Sequence, residues 1–255
     1  MDKVSLLMMT YNCKNHLQKT LTSVEQQDYP NIEIVIKDAG STDGTIDIIK
    51  LYREKYHMNI NYVSEPDDGL YDALNKAVHM ATGEYLLVCN DEFVDDSAIS
   101  KLVNATQKSG LDGAHADLIY ADDDKVKRYW HMGKGTIYTG WLPGHPTMLI
   151  KKKVYEELGD YDTSYHIAAD YEYMIRMFVN GVRLEYVPEV LVRMFYGGTS
   201  TGGLQDYVLS FKEGCRALRA NGVHGGIWIS GLRSMRVILQ FLNCGKAEIE
   251  WKKKS

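Results

Sequence analysis

An α/β fold with a mainly parallel, doubly wound sheet is what this 255-residue sequence predicts. In its first half, short apolar, β-branched runs alternate with segments whose apolar residues recur at helical spacing, the mark of consecutive βαβ units. Polar residues also collect directly after each strand-like run: Thr10-Tyr11-Asn12, Asp38-Ala39-Gly40-Ser41, Glu65-Pro66-Asp67-Asp68 and Asn90-Asp91-Glu92. In an open parallel sheet the carboxyl ends of the strands share one edge, so these four loops are expected to converge on a single ligand crevice.

The elements follow in order. "VSLLMMT" reads as a strand, and "KNHLQKTLTSVEQQ" as a helix with Leu17, Leu21 and Val24 on one face. "NIEIVIKD" is the second strand, "DGTIDIIKLYREKY" the second helix and "INYVSE" the third strand. "GLYDALNKAVHMA" is the third helix and "GEYLLVCN" the fourth strand; Asp95 and Asp96 then cap a further helix. Beyond it the pattern is less regular. "GAHADLIYADDD" and "KVKRYWHMG" read as strands around an acidic turn, and "HPTMLIKKKVYEEL" as a strand feeding a short helix. "AADYEYMIRMFVNG" is a helix stopped by Gly181. "VRLEYVPEVLVRMF" is strand-like, "GGTSTGG" is a glycine-rich loop, and helices are predicted near Gln205–Asn221 and Gly226–Asn243. The reading divides the chain at 1–200, itself in halves 1–95 and 96–200, with a helical extension over 201–255.

Composition excludes several classes. A formal charge of −5 supplies no basic field for phosphates, which excludes a general nucleic-acid binder. The four cysteines, Cys13, Cys89, Cys215 and Cys244, are scattered, as reduced thiols of a cytoplasmic protein would be, and form neither a zinc pattern nor a disulfide frame. The N-terminus runs straight into a strand without a signal-peptide core, and no apolar run reaches the roughly 18 residues of a spanning helix. Eighteen tyrosines against five phenylalanines favour flat contacts that end in a hydroxyl, suited to bases and sugars. No GxGxxG follows the first strand and no GxxxxGK[ST] occurs, so dinucleotide-binding and P-loop sites are disfavoured.

"TYNCKNHLQKTLTSVEQQDYPNIEIVIKDAGSTDGT" resembles the opening of the family 2 glycosyltransferases of the GT-A fold, with a T-Y-N turn after the first strand and a D-x-G-S-T-D-G-T loop after the second. "SEPDDGLYDALNKAVHMATGEYLLVCNDE" narrows the resemblance to bacterial O-antigen and exopolysaccharide transferases, and the similarity runs over roughly residues 4–195. It implies an inverting, metal-assisted glycosyltransferase. A nucleotide-sugar, in this reading a UDP-sugar, would donate to a glycan acceptor linked to a polyprenyl diphosphate, in O-antigen or capsule synthesis.

The resemblance also assigns residues. Thr10, Tyr11, Asn12, Asp38 and Gly40 would line the nucleotide pocket, where a carboxylate can accept from the uracil imide or a ribose hydroxyl. The competing reading makes Asp38 and Asp43 helix caps, and Asp43 is assigned to capping. Asp68, Tyr71, Asp72, Asn75, Lys76 and His145 would meet the donor and its diphosphate, although Asp72 and Lys76 also stand at the i,i+4 spacing of a surface ion pair. Asp170 takes the position of the catalytic base, and Glu172 points elsewhere around the same helix; His131 and His166 have no motif to support them. Asp91, with Glu92 in reserve, falls where the family places its divalent metal, Mg or Mn, because hard cations take oxygen ligands. Cys89 stands at the first acidic position of that loop and depletes it.

Two rival functions stay open on the residues. A nucleotidyltransferase would carry a basic glycine-rich loop after the first strand, which "TYNCKN" does not supply. A non-catalytic nucleotide-sugar-binding or scaffold protein would keep the pocket and lose the chemistry, as the depleted metal loop allows. The tail "IWISGLRSMRVILQFLNCGKAEIEWKKKS", with Arg233, Arg236 and Lys252 to Lys254, reads either as a core helix with a solvated end or as a peripheral contact with the inner face of the cytoplasmic membrane.

Overall fold

The computed structural model describes residues 1–122, 125–195, 204–242, 244–245 and 247–248. The glycine-rich loop 197–203, Asp123 and Asp124 of the acidic turn, and Lys252 to Lys254 lie outside the described residues. Among the described residues nine strands and eight helices follow in the order β1 (Val4–Thr10), α1 (Lys14–Glu25), β2 (Ile32–Asp38), α2 (Thr45–Glu54), β3 (Ile60–Ser64), α3 (Leu70–Met80), β4 (Tyr85–Val88) and β5 (Glu92–Phe93). Then come α4 (Ala98–Ser109), β6 (Gly113–Ala121), β7 (Val126–Trp130), β8 (Leu149–Lys151), α5 (Lys152–Leu158), α6 (Ala169–Val179), β9 (Leu184–Phe195), α7 (Leu204–Ala220) and α8 (Gly226–Leu239).

The strands form one sheet in the order β3-β2-β1-β4-β8-β6-β9-β5, with β7 paired to the outer part of β6. β1 to β4 are mutually parallel, as the alternation predicts. β8 runs antiparallel between β4 and β6, which turns β6 and its parallel partner β9 back to the direction of β1. β8 approaches β6 so closely at Gly113 that a Cβ there would stand 2.2 Å from the Leu149 carbonyl oxygen.

Both faces of the sheet are covered, so β1 is apolar on both. Val4, Leu6 and Met8 pack with Leu17, Leu21 and Val24 of α1 and with residues of α2 and α4. Leu7, pointing the other way, joins Val35 and Leu86 under α3, α5 and α6. A strand buried on both faces reads as a continuous apolar run, and that is why "VSLLMMT" shows no alternation.

Three local features depart from the predicted elements. β5 is a two-residue strand, and its only ladder is with Val192 and Arg193 of β9. β9 is broken in register, pairing Val187 with Ala116 and then Val190 with Asp117; Pro188, which has no N–H to give, sits in the slip. α8 ends at Leu239 and not at 243. Gly181 has φ +85° and ends α6, as predicted.

α7 packs on α8 and on α6. α8 is turned inside out for a surface helix. Its arginines face the protein, Arg233 over the ring of Tyr171 at 4.3 Å and Arg236 over Trp141 at 5.5 Å. Ile227, Trp228, Met235, Ile238 and, just past its end, Leu242 are exposed by 76, 74, 66, 65 and 71%. Their spacing places them in one stripe along the helix. No helix among the described residues is long and apolar enough to cross a membrane.

Candidate active site

Three of the four polar loops meet at the carboxyl ends of β1, β2 and β3. They enclose a cleft of about 470 Å³ lined by Met9, Thr10, Tyr11, Ala39, Pro66, Asp67, Gly69, Leu70 and Ala73, a volume typical of small-molecule sites. Tyr11, 65% exposed, presents a free ring face to it. The loops are laced to one another by side chains. Asn12 receives the Thr42 N–H on its Oδ1 at 2.8 Å, and its own N–H donates to Ser41 Oγ at 2.8 Å. Asp43 accepts from Lys14 N–H and from both the N–H and hydroxyl of Thr45, so it caps α2 as expected and also holds the start of α1.

Asp38 lies under this cleft with no exposed surface. Its Oδ1 accepts from the hydroxyls of Thr10 (2.9 Å) and Ser41 (2.5 Å). Its Oδ2 accepts from the hydroxyl of Ser64 (2.7 Å) and from the N–H groups of Gly40 and Ser41. Burial alone would raise its pKa, but these donors outweigh it and hold the carboxyl below the usual range. In this conformation the carboxylate organises the loops, and Gly40 serves by donating its N–H to Asp38. Beneath it runs a cation that sequence reading did not single out. The ammonium of Lys37, 1% exposed, donates to the carbonyls of Asp38 (2.9 Å) and Glu65 (2.6 Å) and reaches Asp67 Oδ2 at 3.4 Å.

The first turn of α3 carries the residues assigned to the diphosphate. Lys76 and Asp72 form the i,i+4 pair at 2.9 Å, and Asp72 also accepts the N–H of Asp68 at 3.1 Å. Asn75 faces the loop before α6: its amide nitrogen donates to the Tyr161 carbonyl at 3.0 Å while its oxygen accepts the Tyr161 N–H at 2.9 Å, joining α3 to that loop. Tyr71 turns from the cleft to the same loop, its one hydroxyl proton shared between the Ile167 carbonyl at 2.7 Å and Asp170 Oδ1 at 3.2 Å.

Asp170 stands in the first turn of α6, and its Oδ1 also accepts the N–H of Tyr171 at 2.8 Å. Among the described residues no donor reaches Oδ2. Glu172, as expected, points away and pairs with Arg176 at 2.8 Å. His145, in a 3-10 turn ahead of β8, shares a hydrogen bond of 2.9 Å between Nε2 and the hydroxyl of Tyr161. Burial lowers its pKa, the nearby charge of Asp170 opposing, which favours a neutral imidazole. Tyr161 in turn stacks on Tyr173 at 4.3 Å, so part of the tyrosine excess is a packed layer behind the site.

The fourth loop leaves β4 beside α1. Asn90 accepts the Met9 N–H on its side chain at 2.9 Å, and its carbonyl meets His16 Nε2 at 2.7 Å. Asp91 is nearly enclosed, and burial pushes its carboxyl from the ordinary 3.8 up to about 6; the charge of Glu92 adds to the rise, while His16 and the Phe195 N–H oppose it. Glu92 pairs with Arg193 of β9 at 3.1 Å. Cys89 is buried, and burial followed by the charge of Asp91 pushes its thiol far up, so it offers no thiolate. Among the described residues no group of three or more His, Cys, Asp or Glu could hold a metal ion. One buried carboxylate nevertheless fits a divalent ion that keeps its waters and takes its other ligands from substrate phosphates.

The phenol of Tyr120, on β6, is pushed up to about 12 chiefly by burial, and the carboxylates of Asp91 and Asp170 contribute while Arg128 opposes. Tyr120 was missed in the sequence because nothing in "GAHADLIYA" separates it from a core residue.

The model of "Glycosyl transferase family 2" matches residues 5–172. A relative from Mycobacterium bovis, described as a PGL/p-HBAD biosynthesis glycosyltransferase, is 27% identical over 204 residues, covering 77% of this chain and 78% of its own. Among solved structures, residues 1–349 of Staphylococcus aureus TarS in complex with UDP-GlcNAc align with a TM-score of 0.66 at 17% identity, over 94% of this chain and 72% of that one. Against the longer TarS chain the match spans 43% of its length. The mannosyltransferase PcManGT from Pyrobaculum calidifontis, in complex with GDP-Man and Mn2+, aligns with a TM-score of 0.66 at 17% identity, over 92% of this chain and 73% of its own. At these identities the structural likeness speaks for the fold.

Proposed function

Because this chain belongs to glycosyl transferase family 2 and has the GT-A fold, we propose that it moves a sugar from a nucleotide-sugar, here a UDP-sugar, to a glycan acceptor with inversion at the anomeric carbon. Residues 1–95 bind the donor, 96–200 the acceptor, and 201–255 form an extension. The observation that carries this reading is the position of Asp170 at the head of α6, clasped by Tyr71.

In this reading Tyr11 flanks the base in the cleft, and the loop fastened by Asp38 shapes the ribose pocket. Asp170 takes the proton of the acceptor hydroxyl as that oxygen attacks from the face opposite the leaving group. The Tyr71 hydroxyl fixes Oδ1 and so aims the other oxygen. Lys76 and the neutral His145 line the approach to the diphosphate. When bound, a divalent ion, Mg or Mn, supplies positive charge against the departing diphosphate, and Asp91 is the residue that would hold it. The acceptor is a polyprenyl-diphosphate-linked glycan of a surface polysaccharide such as O-antigen or capsule. The exposed stripe of α8 lies on the cytoplasmic face of the membrane beside it, where an interfacial helix buries such a face.

The reading is tested by release of UDP from a panel of UDP-sugars with Mg²⁺ or Mn²⁺, with water and then lipid-linked acceptors. Asp170→Asn is expected to slow release by about 100-fold or more while UDP affinity stays within twofold. Wild-type release in that variant would remove Asp170 as base. The pairing of Glu92 with Arg193 and the buried thiol of Cys89 favour one second reading, a binding protein without chemistry. Tight UDP binding with no release from any donor would establish it.

A further inference from the structure

The N-terminus of α6 has no cap of its own. Its N-cap position is Ala168, which offers no side-chain hydrogen bond. The carboxylate of Glu213, on α7 and 6% exposed, fills that place from across the structure. Its Oε1 accepts the N–H of His166 at 2.9 Å, and its Oε2 accepts those of Ile167 at 3.0 Å and Ala168 at 2.9 Å. Three successive N–H groups turned inward make an anion-binding nest, and the start of a helix adds its positive dipole end. The segment so held is the one that positions the site. The Ile167 carbonyl receives the Tyr71 hydroxyl, which also bonds Asp170, and Asp170 follows Ala168 by two residues.

We propose that Glu213 is a positioning residue for Asp170, so that the helical extension sets the geometry of the catalytic step without touching substrate. This rests on the reading of Asp170 as the base. A neutral amide at position 213 would turn one N–H donor toward the nest, and the loop would lose its anchor and Tyr71 its acceptor. The carboxylate of Asp170 would then sample orientations away from the acceptor hydroxyl, and displacements near 1 Å are enough to cost about 100-fold in rate.

The test is Glu213→Gln in the full 255-residue chain, measured three ways. UDP release is followed from the most active UDP-sugar of the panel with water as acceptor. UDP affinity is taken by calorimetry, and amide hydrogen exchange is followed over residues 164–171. Expected are release slowed by about tenfold or more, UDP affinity within twofold, and faster exchange confined to that segment. Placed on Asp170→Asn, the same change is expected to alter residual release by less than about twofold, since residues acting as one unit are not additive. Wild-type release in Glu213→Gln, a parallel loss of UDP affinity, or an equal drop on the Asp170→Asn background would each overturn the proposal. If Glu213→Gln does not fold, Glu213→Asp is read on the same scale, and failure of both to fold overturns a positioning role. Full release in Asp170→Asn would instead overturn the base assignment, and a wild-type chain silent on every donor overturns both.

Discussion

The hydroxyl of Tyr71 bonds the carboxylate of Asp170 at 3.2 Å across 99 positions of chain, tying the first turn of α3 to the first turn of α6. Tyr71 is 8% exposed, and its hydroxyl points inward to the Ile167 carbonyl and the proposed base. Tyr71→Phe should lower stability by about 1 kcal/mol, the usual worth of such a bond, in a denaturant titration. It should slow UDP release more than it weakens UDP binding. Equal losses in both would place Tyr71 in the donor pocket after all.

Asn75 separates the two assignments of α3 cleanly. With both amide atoms on the Tyr161 backbone, Asn75→Ala strands a buried N–H and C=O and should cost about 1–3 kcal/mol. UDP affinity, measured on the folded fraction, should not change. A selective loss of UDP affinity at full stability would restore the diphosphate role.

Asp91 is the remaining acidic candidate for a divalent ion. Mn²⁺ added with UDP should raise Tm above UDP alone, by mass action on the folded state. Asp91→Ala should remove that increment while leaving the effect of UDP without metal. An undiminished Mn²⁺ increment in the variant would show that the ion is held elsewhere.

His115 sets a pH dependence away from the site. Burial lowers its pKa from 6.5 to about 4, the charge of Asp117 opposing. Its ring stacks on Tyr186 at 5.2 Å, and its Nδ1 has no hydrogen-bond partner. The unfolded chain takes a proton near 6.5 that the folded chain refuses until about 4. The stabilisation is therefore complete above 6.5 and is lost as pH falls through that window. His115→Phe should flatten the decline of stability between pH 7 and 5 by roughly 2 kcal/mol. An unaltered slope would mean that the imidazole protonates within the fold.

The stripe on α8 makes a physical prediction. The double variant Trp228→Glu, Leu242→Glu should reduce co-sedimentation with phosphatidylglycerol vesicles by roughly tenfold or more, through lost apolar burial and added negative charge. Vesicle binding equal to wild type would detach this face from the membrane.

Much of the architecture was legible because its signals are local. β1 to β4 and α1 to α3 announce themselves in apolar spacing, and the polar turns behind them carry the cleft. What escaped depends on distant partners. β5 is a strand only because β9 lies beside it, about 100 positions later. The donor Ser64 of Asp38 stands 26 residues away, and the partners of Asn75 are backbone atoms of Tyr161, 86 residues on. Glu213 was invisible for the same reason, since it recognises bare N–H groups 45–47 positions earlier. Side-chain patterns do not encode partners of that kind.

The strand order also decides how copies of this chain meet. The path through the sheet ends on β3, of five residues, and on β5, of two. An edge as short as β5 gives an incoming strand little backbone to template on. The exposed stripe of α8 instead offers side chains, its backbone being bonded within the helix. Clumping of this protein in solution should therefore dissolve in mild detergent and leave the sheet untouched.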